Sequence, residues 1–171
     1  MKILAVSLLA FAAGAAVAAP APKRDTNAPI NIAADKFLAD SNAKTGVWSG
    51  NVVVVQGDIK MRANTVRVNV TGKDNKPDKI FANGNVVVDS PTSGTATGDN
   101  AVYDVAPRLV TLTGHVVLTR VKDVMRGNHL TVNLVTGQAT LGAKGVPGAP
   151  DLPGGRVQGV FTPPPQSGGS Q

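Results

Sequence analysis

The chain has 171 residues and a formal net charge of +6, with no cysteine and no glutamate. The missing cysteine excludes a disulfide-stapled scaffold, and the 19 glycines together with the missing helix-forming acid argue against a helical protein. The positive charge is compatible with an anionic partner or simply with a basic, solvated surface. The length is sufficient for one domain with its own core.

The first predicted element is a secretory signal peptide in residues 1–18. Lys2 supplies a positive charge, an uncharged and mostly apolar run follows it, and Ala16–Ala18 is the small-residue pattern that signal peptidase recognises. The run is shorter than the roughly 20 residues that a membrane span needs. An uncleaved membrane anchor is the alternative. Export of the chain argues against a nucleic-acid partner.

A repeat becomes visible in the rest of the chain when the glycines are aligned. Gly50, Gly84 and Gly114 recur at intervals of about thirty residues, and each is followed by one polar residue and an apolar run. Each repeat is interpreted as a short strand, a turn, a second strand and another turn. Such a unit cannot bury its apolar face alone, but a stack of units can.

The runs between these glycines alternate between apolar and polar residues with a period of two, which is typical of strands. In residues 65–70, for example, Val66, Val68 and Val70 share one face. We therefore predict an all-β fold, a twisted antiparallel β-jellyroll or solenoid-like sandwich with an apolar seam along its length. Its two ends are open and present unpaired backbone groups to a further strand.

Alternation alone also identifies inward-facing candidates in this sandwich. Val54, Val68, Leu118 and Val132 lie on the apolar face of their predicted strands. Core packing is the favoured interpretation of these four residues, and lining of a ligand groove is the alternative.

The C-terminal part of the chain changes in composition. Residues 145–155 are rich in proline and glycine and predict a loop, residues 156–162 predict one last strand, and three prolines from Pro163 onward end it. The predicted jellyroll domain spans residues 26–163. Residues 164–171 are predicted to be a disordered polar tail.

Candidate catalytic and metal-binding residues are few. Asp35 and Asp99 occupy places in the repeat equivalent to those of Asn64 and Asn128, which indicates a row of turn residues rather than a catalytic carboxylate pair. The two histidines lie on predicted strands without cysteines or clustered acids to complete a metal site. We therefore expect no catalytic residue, no metal and no cofactor, and a binding protein rather than an enzyme.

One progression of motifs carries a family resemblance. Residues 29–32 read Pro-Ile-Asn-Ile, Asp35 follows, and residues 48–60 contain a Gly-Asn-Val triplet and then Gln56 and Gly57 ahead of an isoleucine. Over residues 26–163 the sequence resembles the OstA-like family of periplasmic lipopolysaccharide-transport proteins. The resemblance implies a jellyroll whose groove takes the acyl chains of lipopolysaccharide while the sugars remain in water.

The resemblance also implies a location and partners. The protein would act in the periplasm and convey lipopolysaccharide from the inner to the outer membrane as part of a protein bridge. Its partners would be an LptC-like inner-membrane protein, an LptD-like outer-membrane protein and, by head-to-tail self-association, further copies of itself. The alternatives are an LptC-like subunit of the same system and a structural β-repeat protein that binds no lipid.

Site residues follow from the resemblance by position. The residues that match groove-lining positions of the family are Ile30, Ile32, Val88, Tyr103 and Val105, and ordinary core packing is the alternative for them. The last predicted strand corresponds to a partner-docking strand, with apolar side chains at Val157, Val160 and Phe161.

Overall fold

The computed structural model describes residues 27–144 and 156–161. Within these ranges the chain contains strands and no helix, which confirms the predicted all-β fold class. The strands are β1 (Asn31–Ala33), β2 (Lys36–Asp40), β3 (Thr45–Gln56), β4 (Ile59–Thr71), β5 (Lys76–Ser90), β6 (Gly94–Asp104), β7 (Leu109–Arg120), β8 (Asp123–Asn133), β9 (Ala139–Gly142) and β10 (Gln158–Val160).

The strands form one antiparallel sheet in the order β1-β3-β4-β5-β6-β7-β8-β10, with β2 also paired to β3 and β9 also paired to β8. From β3 to β8 each strand is joined to the next by a short turn, so the sheet grows in chain order. Two short strands lie at each end of the sheet. The sheet does not close on itself, and the predicted open ends are confirmed.

The repeated glycines lie inside long strands rather than between short ones. Gly50 has a φ of 80° and Asn51 a φ of 46°, and the pairing of β3 with β4 shifts between Ser49 and Val52. The same positive-φ pair and the same kind of shift recur in the middle of β5 and of β7. These residues are bulges, which bend a strand without ending it, because pairing resumes beyond the extra residues.

The bends divide the sheet into two layers that face each other. Leu141 of β9, in one layer, approaches so closely that a Cβ on Gly127 in the other layer would lie 2.7 Å from its side chain. We call the line of bulges the apex and the opposite, turn-bearing side the mouth. The first layer contains β2, residues 45–49, 65–71, 76–83, 100–104, 109–113, 129–133 and β9, and the second contains β1, residues 52–56, 59–62, 86–90, 94–98, 116–120, 123–127 and β10.

The core lies between the layers and is deepest next to the apex. Val66, Leu112 and Leu130 of the first layer are at most 1% exposed, and so are Val52 and Val116 of the second. Valine and leucine fill this space with alanines between them, because alternate residues of every strand point inward. Burial of these side chains is the main force that holds the two layers together.

Polar side chains line the outside of the apex in a row. Asp35 accepts a 2.9 Å hydrogen bond from the side-chain amide of Asn51, and Asp99 lies 2.7 Å from Nδ1 of His115. A Cβ on Gly114 would come within 2.3 Å of the Asp99 carboxylate, so a larger residue cannot replace this glycine without displacing its partner. The prediction of turn residues is wrong for Asp99, which lies within β6, and both aspartates pair with side chains of a neighbouring strand rather than with local backbone N–H groups.

The predicted signal peptide (1–18), the loop 145–155 and the tail 164–171 lie outside the described residues. The last strand is shorter than predicted, since Gln158–Val160 pairs with β8 while Arg156 and Val157 precede the pairing. Residue 162 of the predicted strand is also outside the described part of the chain.

Candidate functional site

Between the two layers, on the mouth side of the core, lies a first cavity that we call the tyrosine cavity. Its empty space is about 530 Å³, including the part that opens to solvent. The side chains around it are apolar apart from those of Gln56 and Tyr103. They belong to Ile30, Val54, Gln56, Ile59, Met61, Ile80, Val88, Ala101, Tyr103, Val110 and Leu134.

A second cavity, which we call the arginine cavity, lies further along the sheet. Its empty space is about 770 Å³ by the same measure, and it combines an apolar floor with a polar rim. The floor includes Leu112, Leu118 and Leu130. The rim contains Arg120 and the turn from Ser90 to Gly94, which joins β5 to β6 at the mouth.

The two cavities share a wall and are parts of one groove. Ile59 and Val88 of the second layer line both cavities, and so do Val110 and Leu134 of the first. An apolar surface therefore runs without interruption from Ile30 near one end of the sheet to Val132 near the other. Space of this size and lining is typical of sites that bury apolar ligands.

Polar contacts cross the mouth above the tyrosine cavity. The side chains of Gln56, in the second layer, and Tyr103, in the first, are hydrogen-bonded to each other. Gln56 also donates a 3.1 Å bond to the carbonyl of Ala28. The guanidinium of Arg108, at the mouth of the first layer, donates to the side-chain oxygen of Asn27. The N-terminal segment is thereby tied to both layers.

The environment of Tyr103 shifts its acidity. Burial against the apolar wall raises the pKa of the hydroxyl above its ordinary value of 10.0, while the Gln56 hydrogen bond and the positive charge of Arg108 oppose that rise. Burial is the largest of these effects because it disfavours the phenolate. Tyr103 is therefore neutral throughout the physiological range and places one polar atom in an otherwise apolar wall.

The predicted groove residues all point between the layers, at different depths. Val54, Val68 and Leu118 belong to the buried core, while Ile30, Ile32, Val88, Tyr103, Val105 and Val132 are partly buried and pack against it. The structure brings Ile30, Val54, Val88 and Tyr103 together around the tyrosine cavity, and Val88, Leu118 and Val132 around the arginine cavity. Ile32, Val68 and Val105 line neither cavity.

The N-terminal end of the groove carries two aromatic rings. The ring centroids of Phe37 on β2 and Trp48 on β3 are 4.6 Å apart, and Phe37 is 58% exposed. Val68 lines a shallow depression together with these two rings. Both aromatics have the inward orientation of the first layer, so the apolar interior reaches the open edge of the sheet.

The C-terminal end presents the predicted docking residues to solvent. Val157, Val160 and Phe161 are 43%, 60% and 66% exposed. Only Val160 lies within β10, where it pairs with Val124 of β8. Val157 and Phe161 flank the strand, and by alternation they share the inward side while Val160 faces outward. The far edge of β10 has no paired strand among the described residues.

Several groove residues were not among the predicted ones. Ile59, Met61, Val110 and Leu134 continue the alternation of their strands, so the pattern of period two could have identified them. The same rule applied beyond Leu118 would have placed Arg120 on the inward side. The roles of Gln56 and of the Ser90–Gly94 turn depend on contacts between the layers, and no pattern in the neighbouring sequence predicts them.

The groove offers mainly apolar contacts and few polar groups. No group of three or more His, Cys, Asp or Glu side chains that could hold a metal ion occurs in residues 27–144 and 156–161. In the same part of the chain, no helix is both long and apolar enough to cross a membrane. The polar groups inside the groove are Gln56 and the neutral hydroxyl of Tyr103, with Arg120 and hydroxyls at the rim.

The fold and the groove define an open-ended, all-β jellyroll with an apolar interior. Residues 31–138 match the model of the family described as "LptA/(LptD N-terminal domain) LPS transport protein". The chain belongs to this family of lipopolysaccharide transport proteins.

Known relatives agree with the assignment. The chain is 32% identical over 136 residues to the lipopolysaccharide export system protein LptA of Escherichia coli K12, covering 75% of this chain and 70% of that protein. It is 28% identical over 141 residues to the LptA of Haemophilus influenzae, with 78% and 79% covered.

A solved structure agrees with the fold. LptH of Pseudomonas aeruginosa, described as the LptA-homologous periplasmic component of the lipopolysaccharide transport device, superposes with a TM-score of 0.70. The match covers 83% of this chain and 100% of LptH at 20% identity. The architecture is therefore shared although the sequences have diverged.

Proposed function

We propose that this protein binds lipopolysaccharide through its acyl chains and conveys it across the periplasm, from the inner to the outer membrane, as one section of a protein bridge. The observation that carries the proposal is the apolar groove between the layers that includes both cavities. The membership of the chain in the transport family supports the choice of ligand.

The groove suits an alkyl chain better than a polar solute. Its walls are valine, leucine, isoleucine and methionine side chains. Each methylene transferred from water to such a surface contributes about 0.8 kcal/mol, so an acyl chain of ordinary length supplies ample binding energy. A sugar in the same space would lose its hydrogen bonds to water without replacement. The acyl chains therefore enter the groove and the sugars remain outside the mouth.

The ends of the sheet support the bridge. Every pairing in the sheet is antiparallel, so the directions of its edge strands follow from their order. In the second layer β10 runs opposite to β1, and in the first layer β9 runs opposite to β2. When two copies lie head to tail in the same orientation, β10 therefore meets β1, and β9 meets β2, in antiparallel fashion. LptC-like and LptD-like partners with the same two-layer ends would continue the groove in the same way.

Photo-crosslinking in the exported protein tests lipid binding. A photoreactive residue at Tyr103, which faces the groove, is expected to give an adduct with lipopolysaccharide. The matched control is Val102, which precedes Tyr103 on β6 and points to the outside of the sheet. Adducts at neither position in folded protein would contradict lipid carriage and favour a structural β-repeat protein.

The same reagent tests the bridge. At Val160, which is 60% exposed on β10, it is expected to capture another copy or a partner that carries the same fold. The matched control is Val135, which is 63% exposed in the turn between β8 and β9. Equal capture from both positions would contradict docking through the end strand.

A further inference from the structure

Strand β7 carries an arginine at each end. Arg108 immediately precedes the strand and Arg120 is its last residue. Because β7 runs from the mouth of the first layer, through the bulge at the apex, to the mouth of the second layer, these two residues lie on opposite lips of the groove. The inward residues between them are apolar: Val110, Leu112, Val116 and Leu118.

The charge of Arg120 lies at the rim of the arginine cavity. Its side chain passes close to Gly94, where a Cβ would come within 3.1 Å of the Arg120 Cγ. The hydroxyl residues Ser90, Thr92 and Ser93 line the same rim. No ion pair found among the described residues includes Arg120.

Arg108 forms no ion pair with a carboxylate of residues 27–144 or 156–161 either. Its side-chain partner in the described chain is the neutral amide oxygen of Asn27. Its positive charge also acts on the Tyr103 hydroxyl at the tyrosine cavity. Each lip of this cross-section therefore carries a guanidinium that forms no ion pair within the described residues, and Asp123 is the cross-strand neighbour of Arg120 at one of the lips.

Other strands that cross the groove in the same direction lack this arrangement. Strand β3 begins after Lys44 and ends at the neutral Gln56. Strand β5 begins at Lys76, which pairs with Asp74 at 3.4 Å, and ends at Ser90. Of the strands that the structure describes, β7 is the one with a guanidinium at both lips.

We propose that the β7 cross-section binds phosphate groups of the lipid headgroup. Arg120 and the hydroxyls of the Ser90–Gly94 turn hold phosphate at one lip, and Arg108 holds phosphate at the other. Guanidinium groups bind phosphate oxygens in a two-pronged geometry, and hydroxyls complete the shell. The acyl chains below contact Leu112 and Leu118. This inference rests on the proposed function and adds to it the position and chemistry of headgroup recognition.

The test compares three variants, Arg120→Gln, Arg108→Gln and Arg126→Gln. Arg126 is the matched control, since it is exposed on β8 and points away from the groove. The probes are purified lipopolysaccharide and the same preparation treated with phosphatase. Wild type is expected to bind the phosphorylated form more tightly. Each lip variant is expected to lose about three- to tenfold in affinity for that form, the size of an exposed charge-assisted contact, and to keep its affinity for the treated form.

The outcomes separate this inference from the proposed function. Equal binding of the two preparations by wild type, or an equal loss in Arg126→Gln, overturns the phosphate site and leaves lipid carriage intact. Binding of neither preparation by folded wild type contradicts lipid carriage itself. Titration calorimetry with inorganic phosphate alone distinguishes a lipid headgroup from free phosphate as the ligand. If wild type binds inorganic phosphate, Arg120→Gln abolishes that binding, and wild type does not prefer the phosphorylated lipid, the site binds the free ion. That result overturns headgroup recognition.

Discussion

The apex and the mouth of the groove are built from the same strands but differ in packing. At the apex, inward residues such as Val52 and Val66 are almost completely buried, and side chains such as Asp35 and Asp99 pair with the bulge residues. Toward the mouth, residues such as Val88 and Val110 are only partly buried and border open space.

Within each strand, the residues next to the apex therefore contribute mainly to the stability of the fold, and those at the mouth contribute mainly to ligand binding. Close packing near the apex provides the burial that holds the layers together. The partly buried apolar surface at the mouth is still in contact with water, so a ligand that covers it gains binding free energy. Substitutions at the two depths should therefore affect different measurements: a change at the mouth should alter binding, and a change next to the apex should alter stability.

The largest effect is expected from a charge in the shared wall of the two cavities. Val88→Asp should reduce affinity for lipopolysaccharide more than tenfold, because an acyl chain would have to cover a carboxylate that needs water. Val87→Asp, one residue earlier and facing outward, should leave the affinity unchanged. Equilibrium binding measures both variants. A similar loss in the two would place the binding surface outside the groove.

A smaller effect, on stability, should distinguish two valines of β7. Val116→Ala near the apex removes a side chain that is 1% exposed and should lower the free energy of unfolding by about 2 kcal/mol. Val110→Ala at the mouth should cost less than about 1 kcal/mol, because this site already borders open space. Urea unfolding followed by circular dichroism measures both. Equal losses would remove the distinction between apex and mouth.

The smallest effect concerns the acidity of the one tyrosine in the chain. Phenolate absorbance should show a Tyr103 pKa above 10.0, and Gln56→Leu should raise that pKa further by removing a hydrogen bond that opposes the rise. The stabilisation linked to neutral Tyr103 is fully present below pH 10.0 and is lost as the pH rises through the higher folded-state pKa. A midpoint at or below 10.0 would mean that the hydroxyl is solvated rather than buried.

Much of the fold could be predicted from the sequence because its determinants are local. The alternation of residues 65–70 identifies a strand and its buried face, and the periodic glycines identify a repeat. The length of the strands was harder to predict. Gly50 and Asn51 are equally compatible with a turn between two strands and with a bulge inside one strand, and only the pairing with β4 decides between them.

The site could be predicted only in part, for a related reason. Alternation shows that Val54 and Leu118 point inward, but it does not show where the layers diverge and leave space. The bond between Gln56 and Tyr103 joins residues that are distant in sequence and lie in opposite layers. The positions of Arg108 and Arg120 on opposite lips become apparent only when β7 is known to cross both layers.

The two-layer construction of the ends has a consequence for valency. Each edge strand is short: β1 and β10 have 3 residues, β9 has 4 and β2 has 5. A stray strand that adds to one edge makes only a brief hydrogen-bonded ladder, so such attachment is weak. A partner that also has one edge strand in each layer can pair with both edge strands at that end of the sheet. Once the first pair has formed, the second forms at a high effective concentration. Avidity therefore favours partners of matching architecture over a single unrelated strand.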